Sequence, residues 1–277
     1  MKDINYDDEK QEFFYAHNFD TVPDTSSFML HNHNDRYEIL IFLQGNCEFR
    51  VEGTVYYMHP YDVVIAQSTE MHMMCHNRPL SPYERAVITV RDSFFIKNNC
   101  EEFKKIFTNR PLGVNNLMSA ELVRKHHILD IIRSMDGYLA ENDGALNIVM
   151  KSKLIELLYN LNRISIKSEK HSFYDEHVKE ILLYINDNIT ADLSLDSIAG
   201  HFFINKYHLC HMFKQQTGLT VNKYVTYKRI LLVRELYAKG VSLIDASIEA
   251  GFGNYSNFYK MYLRETGKSP KLDLSKT

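Results

Sequence analysis

The chain has no long apolar run. Its apolar stretches, such as Ile39 to Leu43, fall far short of the ~20 residues that cross a bilayer, so no membrane span is expected. Cysteine is scarce. Cys47, Cys75, Cys100 and Cys210 stand apart with no Cys-x-x-Cys pair, which argues for reduced thiols and against a disulfide framework. The N-terminal stretch MKDINYDDEKQEFF is acidic and lacks the apolar core of a signal peptide, so a cytoplasmic location is expected. Net positive charge is missing too: 32 Lys+Arg against 35 Asp+Glu give −3. Dividing the chain changes that picture. From Asn205 to Thr277 there are 12 Lys+Arg and 5 Asp+Glu, a net +7, which leaves −10 on the remainder. A basic face on an acidic body suggests nucleic-acid binding. With 277 residues, 45% of them apolar, two globular domains fit and disorder is excluded.

What is present is a unit that occurs twice. LSLDSIAGHFFINKYHLCHMFKQQTG ends at Gly218, and VSLIDASIEAGFGNYSNFYKMYLRETG ends at Gly267. Each opens on a Ser suited to cap a helix and carries Ala199 or Ala246 in mid-segment. A tight turn and a second amphipathic segment ending in Thr-Gly follow. This is the pattern of a helix-turn-helix, whose second helix enters the major groove of DNA. In the first unit Leu195, Ile198, Ala199, Phe202, Leu209, Met212 and Phe213 are expected inside. Tyr207, Cys210, His211 and Lys214 recur at i, i+3, i+4 and i+7 and share the outward face, and Lys206 and Lys214 suit phosphates. In the second unit Leu243, Ala246, Ile248, Phe258, Met261 and Tyr262 are expected inside, with Phe252 anchoring the turn and Gly251 at positive φ. Tyr255, Ser256, Asn257, Tyr259, Lys260 and Arg264 are its expected DNA contacts. One helix over 220–239 joins the units, and reading two successive grooves requires a separation of about 34 Å.

Upstream, the runs EILIFL, CEFRVEG, TVYYM, DVVIAQ and ERAVITV are β-branched and aromatic, broken at Gly45-Asn46, Glu52-Gly53, His59-Pro60 and Arg78-Pro79. They predict an antiparallel sandwich or barrel. Helical spacing follows over 117–139 and 146–161, with stripes that suit packing on the barrel or on a second copy of the chain. The polar stretch SIKSEKHS reads as a linker, and a helix over 174–189 leads into the tandem units. The expected class is α+β, with a β domain and trailing helices over 1–163, a linker at 164–173 and an all-α DNA-binding domain over 174–277.

Residues 184–272 resemble the DNA-binding domain of the AraC/XylS family of bacterial transcription regulators. The matching residues are SLDSIA, Tyr207-His-Leu209, Met212-Phe-Lys214, Gly218, Tyr224, Arg229-Ile230, Ala250-Gly-Phe252, Asn254, Ser256-Asn-Phe258 and Gly267-Lys-Ser-Pro270. His211 departs from a common Arg, Ser247 from an apolar or Ala position, and Leu263 from a usual Lys. The resemblance implies double-stranded DNA as partner, a homodimer, and RNA polymerase as a further partner where the regulator activates, the commoner outcome in that family. It also implies an N-terminal barrel that takes a small effector, such as a sugar or related metabolite, and no catalytic activity.

A second constellation lies in that barrel. His31-Asn-His33 with Glu38, then Gly45 and later His72, resembles the first motif of the cupin barrels. Three imidazoles and a carboxylate suit a divalent transition metal. The same residues equally suit hydrogen bonds to a polar ligand, with Arg36 and Tyr37 beside them, or a purely structural role. No cofactor is required by the first reading. The rival reading, a metal-dependent cupin enzyme or metal sensor fused to a DNA-binding domain, rests on His31, His33, Glu38 and His72 alone.

Overall fold

A computed structural model describes residues 3–8, 11–21, 33, 36–52, 54–76, 81–141, 144–164 and 176–274. The chain divides into two compact units, Met1–Ser172 and Phe173–Thr277. No helix among the described residues is long and apolar enough to cross a membrane.

The first unit holds β1 (Ile4–Asp7), β2 (Phe13–Asp20), β3 (Arg36–Gln44), β4 (Cys47–Val51), β5 (Thr54–Tyr57), β6 (Val63–Ala66), β7 (His72–His76), β8 (Tyr83–Arg91) and β9 (Leu117–Met118). They form a six-stranded sheet, β1-β2-β8-β3-β6-β9, and a three-stranded sheet, β5-β4-β7, with antiparallel pairing throughout. The two-residue period of β3 decides which sheet face does what. Tyr37, Ile39 and Ile41 join one buried cluster, while Leu40 and Phe42 join another. The second cluster fills the space between the sheets, where Leu40, Phe42 and Val64 meet Phe49, Val51, Tyr56 and Met74.

The first cluster is closed by helices. After α1 (Asp92–Lys97) and α2 (Lys105–Thr108) come α3 (Ala120–Lys125), α4 (Ile128–Glu141) and α5 (Leu146–Asn162). Ile128, Ile131, Ile132 and Met135 of α4, and Met150, Leu154, Leu157, Leu158 and Leu161 of α5, pack with Ile39, Ile65 and Ile88. The apolar stripes of both helices are thus occupied within the chain. The single helix expected over 117–139 is split. Leu117–Met118 pairs with β6 instead, and His127, at φ 56, stops α3 before α4 begins, because left-handed backbone cannot continue a right-handed helix.

Several charged groups buried in this unit are paired. Glu70 and Arg110 lie 2.6 Å apart at near-zero exposure, and Glu70 also accepts from the Gly113 N–H at 2.7 Å. His17 of β2 is held at Nδ1 by Asp136 of α4 (2.8 Å) and at Nε2 by Glu84 of β8 (3.1 Å). Tyr15 donates to the same Asp136 at 2.6 Å. The hydrogen bond to Asp136, aided by Glu84, raises His17 above its ordinary value against the cost of burial. Since the folded value exceeds the unfolded one, this stabilisation is complete below about pH 6.5 and is lost as pH rises through the folded value. Urea unfolding of the protein and of His17→Gln should therefore converge in stability as pH rises from about 6 to about 8. Parallel pH profiles would refute this role of His17.

The second unit consists of α6 (Glu176–Asp187), α7 (Leu195–His201), α8 (Lys206–Thr217), α9 (Val221–Ala238), α10 (Leu243–Glu249), α11 (Tyr255–Thr266) and α12 (Pro270–Leu274). Val178, Ile181, Leu182 and Ile185 of α6 are buried. Central α9 serves both halves: Tyr224 meets Phe213 of α8 ring to ring at 5.7 Å, while Ile230 and Val233 pack with Ala246, Phe252, Phe258 and Tyr262.

Candidate functional site

The two repeats are built by the same local chemistry. Ser194 and Ser242 cap α7 and α10, each accepting at 3.2 Å from the N–H three residues on. Asn205 and Asn254 cap α8 and α11 in the same way, each at 2.8 Å. Thr217 and Thr266 each donate at 2.8 Å to the carbonyl four residues back. Gly218 and Gly267 then end the helices in left-handed backbone, at φ 75 and 71. α7–turn–α8 and α10–turn–α11 are therefore two copies of a helix-turn-helix.

The second helix of each copy has one face inside and one in solvent. Leu209, Met212 and Phe213 are buried under α8, whereas Lys206, Tyr207, His211 and Lys214 are exposed and Cys210 is half-buried. Tyr207 stacks on His211, rings 6.2 Å apart and 21° from parallel. On α11, Phe258 and Tyr262 are buried, Ser256, Asn257, Tyr259, Lys260 and Arg264 are exposed, and Tyr255 is half-buried. Three of these side chains are already engaged: Lys206 pairs with Asp196 at 2.8 Å, Arg264 with Glu265 at 2.7 Å, and the Asn257 amide donates to the Phe252 carbonyl at 3.2 Å.

Inside the second copy one expectation reverses. Ile248 is 53% exposed, and its neighbour Ser247 is the fully buried residue. The helix turns Ser247 to the core, where its hydroxyl donates to the Ile244 carbonyl at 2.7 Å and needs no other partner. Met261 is only half-buried.

Sequence reasoning assigned no structural task to Arg229. Its Nε donates to Ile189 O at 2.9 Å and its Nη2 to Ala191 O at 2.7 Å, so α9 grips the loop that leads into the first copy. The turn of the second copy closes on the same spot. A methyl at Gly251 would lie 3.0 Å from the Arg229 guanidinium and 3.0 Å from Thr190 O. Gly251 stands at φ 89, as expected, and so is required twice over, for its backbone conformation and for the close approach.

In the first unit, His33, Glu38 and His72 come together, with ligand atoms within 4.8 Å of one another. His33 Nε2 is hydrogen-bonded to Glu38 Oε2. His72 Nε2 lies 3.6 Å from the same oxygen, its Nδ1–H donates to Glu70 O at 2.9 Å, and its ring stacks on Phe49. Burial alone would raise Glu38. The charge of His72 and the hydrogen bonds of both imidazoles hold it well below the ordinary carboxylate range. His72 is raised, burial being outweighed by Glu38. Arg36 lies on the Glu38 face of β3 and donates to Thr89 Oγ1 at 3.2 Å.

Tyr37 does not join them. Alternation along β3 turns it into the helix-covered core, where its hydroxyl donates to Asp92 at 2.9 Å. His31 lies outside the described residues, and His33 precedes β3 instead of lying on it. The donor set of His33, Glu38 and His72 suits a divalent transition metal. A separate cleft of about 510 Å³ opens between α4 and the end of β3, lined by Leu43, Tyr61, Leu129, Ile132, His17 and Glu84.

A basic, twice-repeated helix-turn-helix held on one central helix defines a DNA-binding transcription regulator. Residues 198–272 match the helix-turn-helix domain family. The HTH-type transcriptional activator AarP of Providencia stuartii is 32% identical over 116 residues, covering 42% of this chain and 86% of AarP. The HTH-type transcriptional activator RhaS of Klebsiella pneumoniae is 25% identical over 142 residues, so the chain spans about half of RhaS, 51%. Among solved structures, ToxT from Vibrio cholerae is 16% identical with a TM-score of 0.38, covering 96% of this chain and 98% of that one. The chain belongs to the AraC/XylS family.

Gly251→Ala should destabilise the second unit by about 1–3 kcal/mol, strain and crowding acting together. The equivalent change at exposed Gly253, where a methyl meets nothing within 4 Å, should cost less despite its φ of 76. Chemical unfolding of both variants checks the order.

Proposed function

We propose that the chain is a sequence-specific transcription activator that binds double-stranded DNA through both helix-turn-helix copies and answers to a small molecule bound in its first unit. The observation that carries this is the pair of matched solvent faces on α8 and α11, outside two cores that packing alone has already satisfied. His211 and Cys210 on α8, and Ser256, Tyr259 and Lys260 on α11, are the base-reading candidates. Lys206, Lys214 and Arg264 are the phosphate candidates, in the first and last cases after exchanging a carboxylate partner. Asn257 steadies its own turn before it reads a base.

The effector shifts the population between arrangements of the DNA-binding units in a homodimer, and does so only through its different affinity for the two states. The residues for a polar effector are His33, Arg36, Glu38 and His72, with His31 from outside the described residues. RNA polymerase is the partner in activation, the location is cytoplasmic, and the chain is a regulator, not an enzyme. One observation favours a second reading. His33, Glu38 and His72 would hold a divalent metal, which would supply positive charge for an anionic ligand or make the unit a metal sensor. Stoichiometric iron, manganese or zinc in purified protein supports that reading, and its absence removes it.

Selection from a random duplex pool at near-physiological salt should enrich a two-part site spaced by about one helical turn. On that site His211→Ala should cost about 1–3 kcal/mol and relax specificity at one position, whereas Lys214→Ala should weaken all sequences alike and reduce the salt slope by about one. Equal effects of both variants on random DNA would refute the assignment of faces.

A further inference from the structure

The two heads share a frame but not a surface. Aligned on the caps Ser194 and Ser242, Phe203 of the first turn corresponds to Gly251 of the second; aligned on the caps Asn205 and Asn254, Tyr207 corresponds to Ser256 and His211 to Lys260. At these three positions the second head is small or charged and the first aromatic, while Tyr255 and Tyr259 of the second head stand opposite Lys206 and Cys210.

Phe203 is the anomaly. It stands two residues before the cap Asn205, in left-handed backbone at φ 53, with its side chain 96% exposed. Left-handed backbone favours glycine, and a phenyl ring in water gains nothing from packing. The fold therefore gives no reason for a phenylalanine here, and the second head has glycine at the matching left-handed position, Gly251. Tyr207, in the first turn of α8, is 81% exposed and leans on His211. These aromatic groups flank the N-terminal end of the recognition helix, the part that meets base edges in the major groove.

Charge on this half of the chain supplies affinity for the DNA backbone, but a phosphate has no use for a phenyl ring. Among the groups that base edges present in the major groove, the apolar one is the C5-methyl of thymine. Resting on the DNA-binding reading above, we propose that the first head recognises thymine methyl groups through Phe203 and Tyr207, and that the second head reads its half-site by hydrogen bonding. The operator is then asymmetric: an A·T-bearing half under α8 and a half defined by polar edges under α11.

Deoxyuridine tests this directly, since it keeps every hydrogen-bonding group of thymine and lacks only the methyl. Each thymine of the selected site is replaced singly by deoxyuridine, and affinity is measured with the full chain, Phe203→Gly, Phe203→Asn and Tyr207→Ala. Gly and Asn both accept left-handed backbone, so each variant folds, which thermal unfolding checks. The expected result is a roughly four-fold loss per contacted methyl for the full chain, at one or two positions in one half of the site. The Phe203 variants should bind thymine and deoxyuridine alike at one of those positions, and Tyr207→Ala at another. Salt dependence should be unchanged in all of them.

Salt-dependent binding to the selected site with no response to deoxyuridine anywhere overturns this proposal and leaves the DNA-binding reading intact. The same holds if Phe203 variants weaken thymine and deoxyuridine sites equally, which would assign the ring to a sugar or to a protein surface. Failure of the full chain to bind any duplex overturns the underlying reading instead.

Discussion

Two reading heads on one unit are useful only if the distance between them is fixed, and Arg229 carries that constraint. From the middle of α9 its guanidinium takes two backbone carbonyls of the loop before α7. The turn between α10 and α11 presses against the same group through Gly251. One side chain thus touches the approach to the first head and the hinge of the second. An arginine suits this because its planar fork reaches two acceptors at once and stays charged at any relevant pH. The remainder of the second unit builds on that joint. Tyr224 closes the first core, with Asn186 of α6 donating to its hydroxyl at 3.1 Å. Asp273 of α12 closes the second, accepting from Tyr262 and Arg234 at 2.7 Å each.

The first unit solves a different problem, that of charge inside a β structure. Glu70 with Arg110, and Glu38 with His72, remove ionised groups from water and keep them paired. Such pairs add little net stability, because desolvation offsets most of the attraction, but losing one partner is costly. Glu38 adds a further point: its carboxylate sits at the meeting of β3, β7 and the segment before β3, so whatever alters its charge balance alters contacts to all three.

Much of this was legible in the sequence, for reasons that can be named. The tandem unit could be read because its determinants are local: Ser and Asn caps, Thr-Gly ends and the spacing of Leu209, Met212 and Phe213 act within a few residues of one another. The strands of the first unit were legible where β-branched and aromatic residues run together between turn residues, as in β3 and β8. What escaped depended on partners distant in sequence. Leu117–Met118 continues a helical pattern but finds β6 instead, and His127 breaks a helix that its neighbours would permit. Tyr37 was grouped with Glu38 by adjacency, although strand alternation itself separates them. Ile248 was expected in the core, which it leaves to its neighbour Ser247, because a phase error of one residue, about 100°, exchanges the two on a seven-residue helix. Arg229 stood out only among the residues that carry the family resemblance, since its two acceptors lie some 40 residues away.

The turns of the two heads differ in length by one residue, and the difference falls at Gly253. In the second head Gly251 and Gly253 bracket Phe252, both in left-handed backbone, while the first turns on Phe203 alone. Gly251 is locked from three sides by its own φ, by Arg229 and by Thr190, whereas Phe203 projects into solvent. The heads are therefore unequal in how they tolerate mutation over evolutionary time. The second hinge is constrained by its backbone and by its neighbours, while the first, exposed to solvent, is constrained by its left-handed backbone alone. Divergence in operator preference among descendants of this chain would then accumulate in the first head, with the second serving as the fixed reference from which the site is measured.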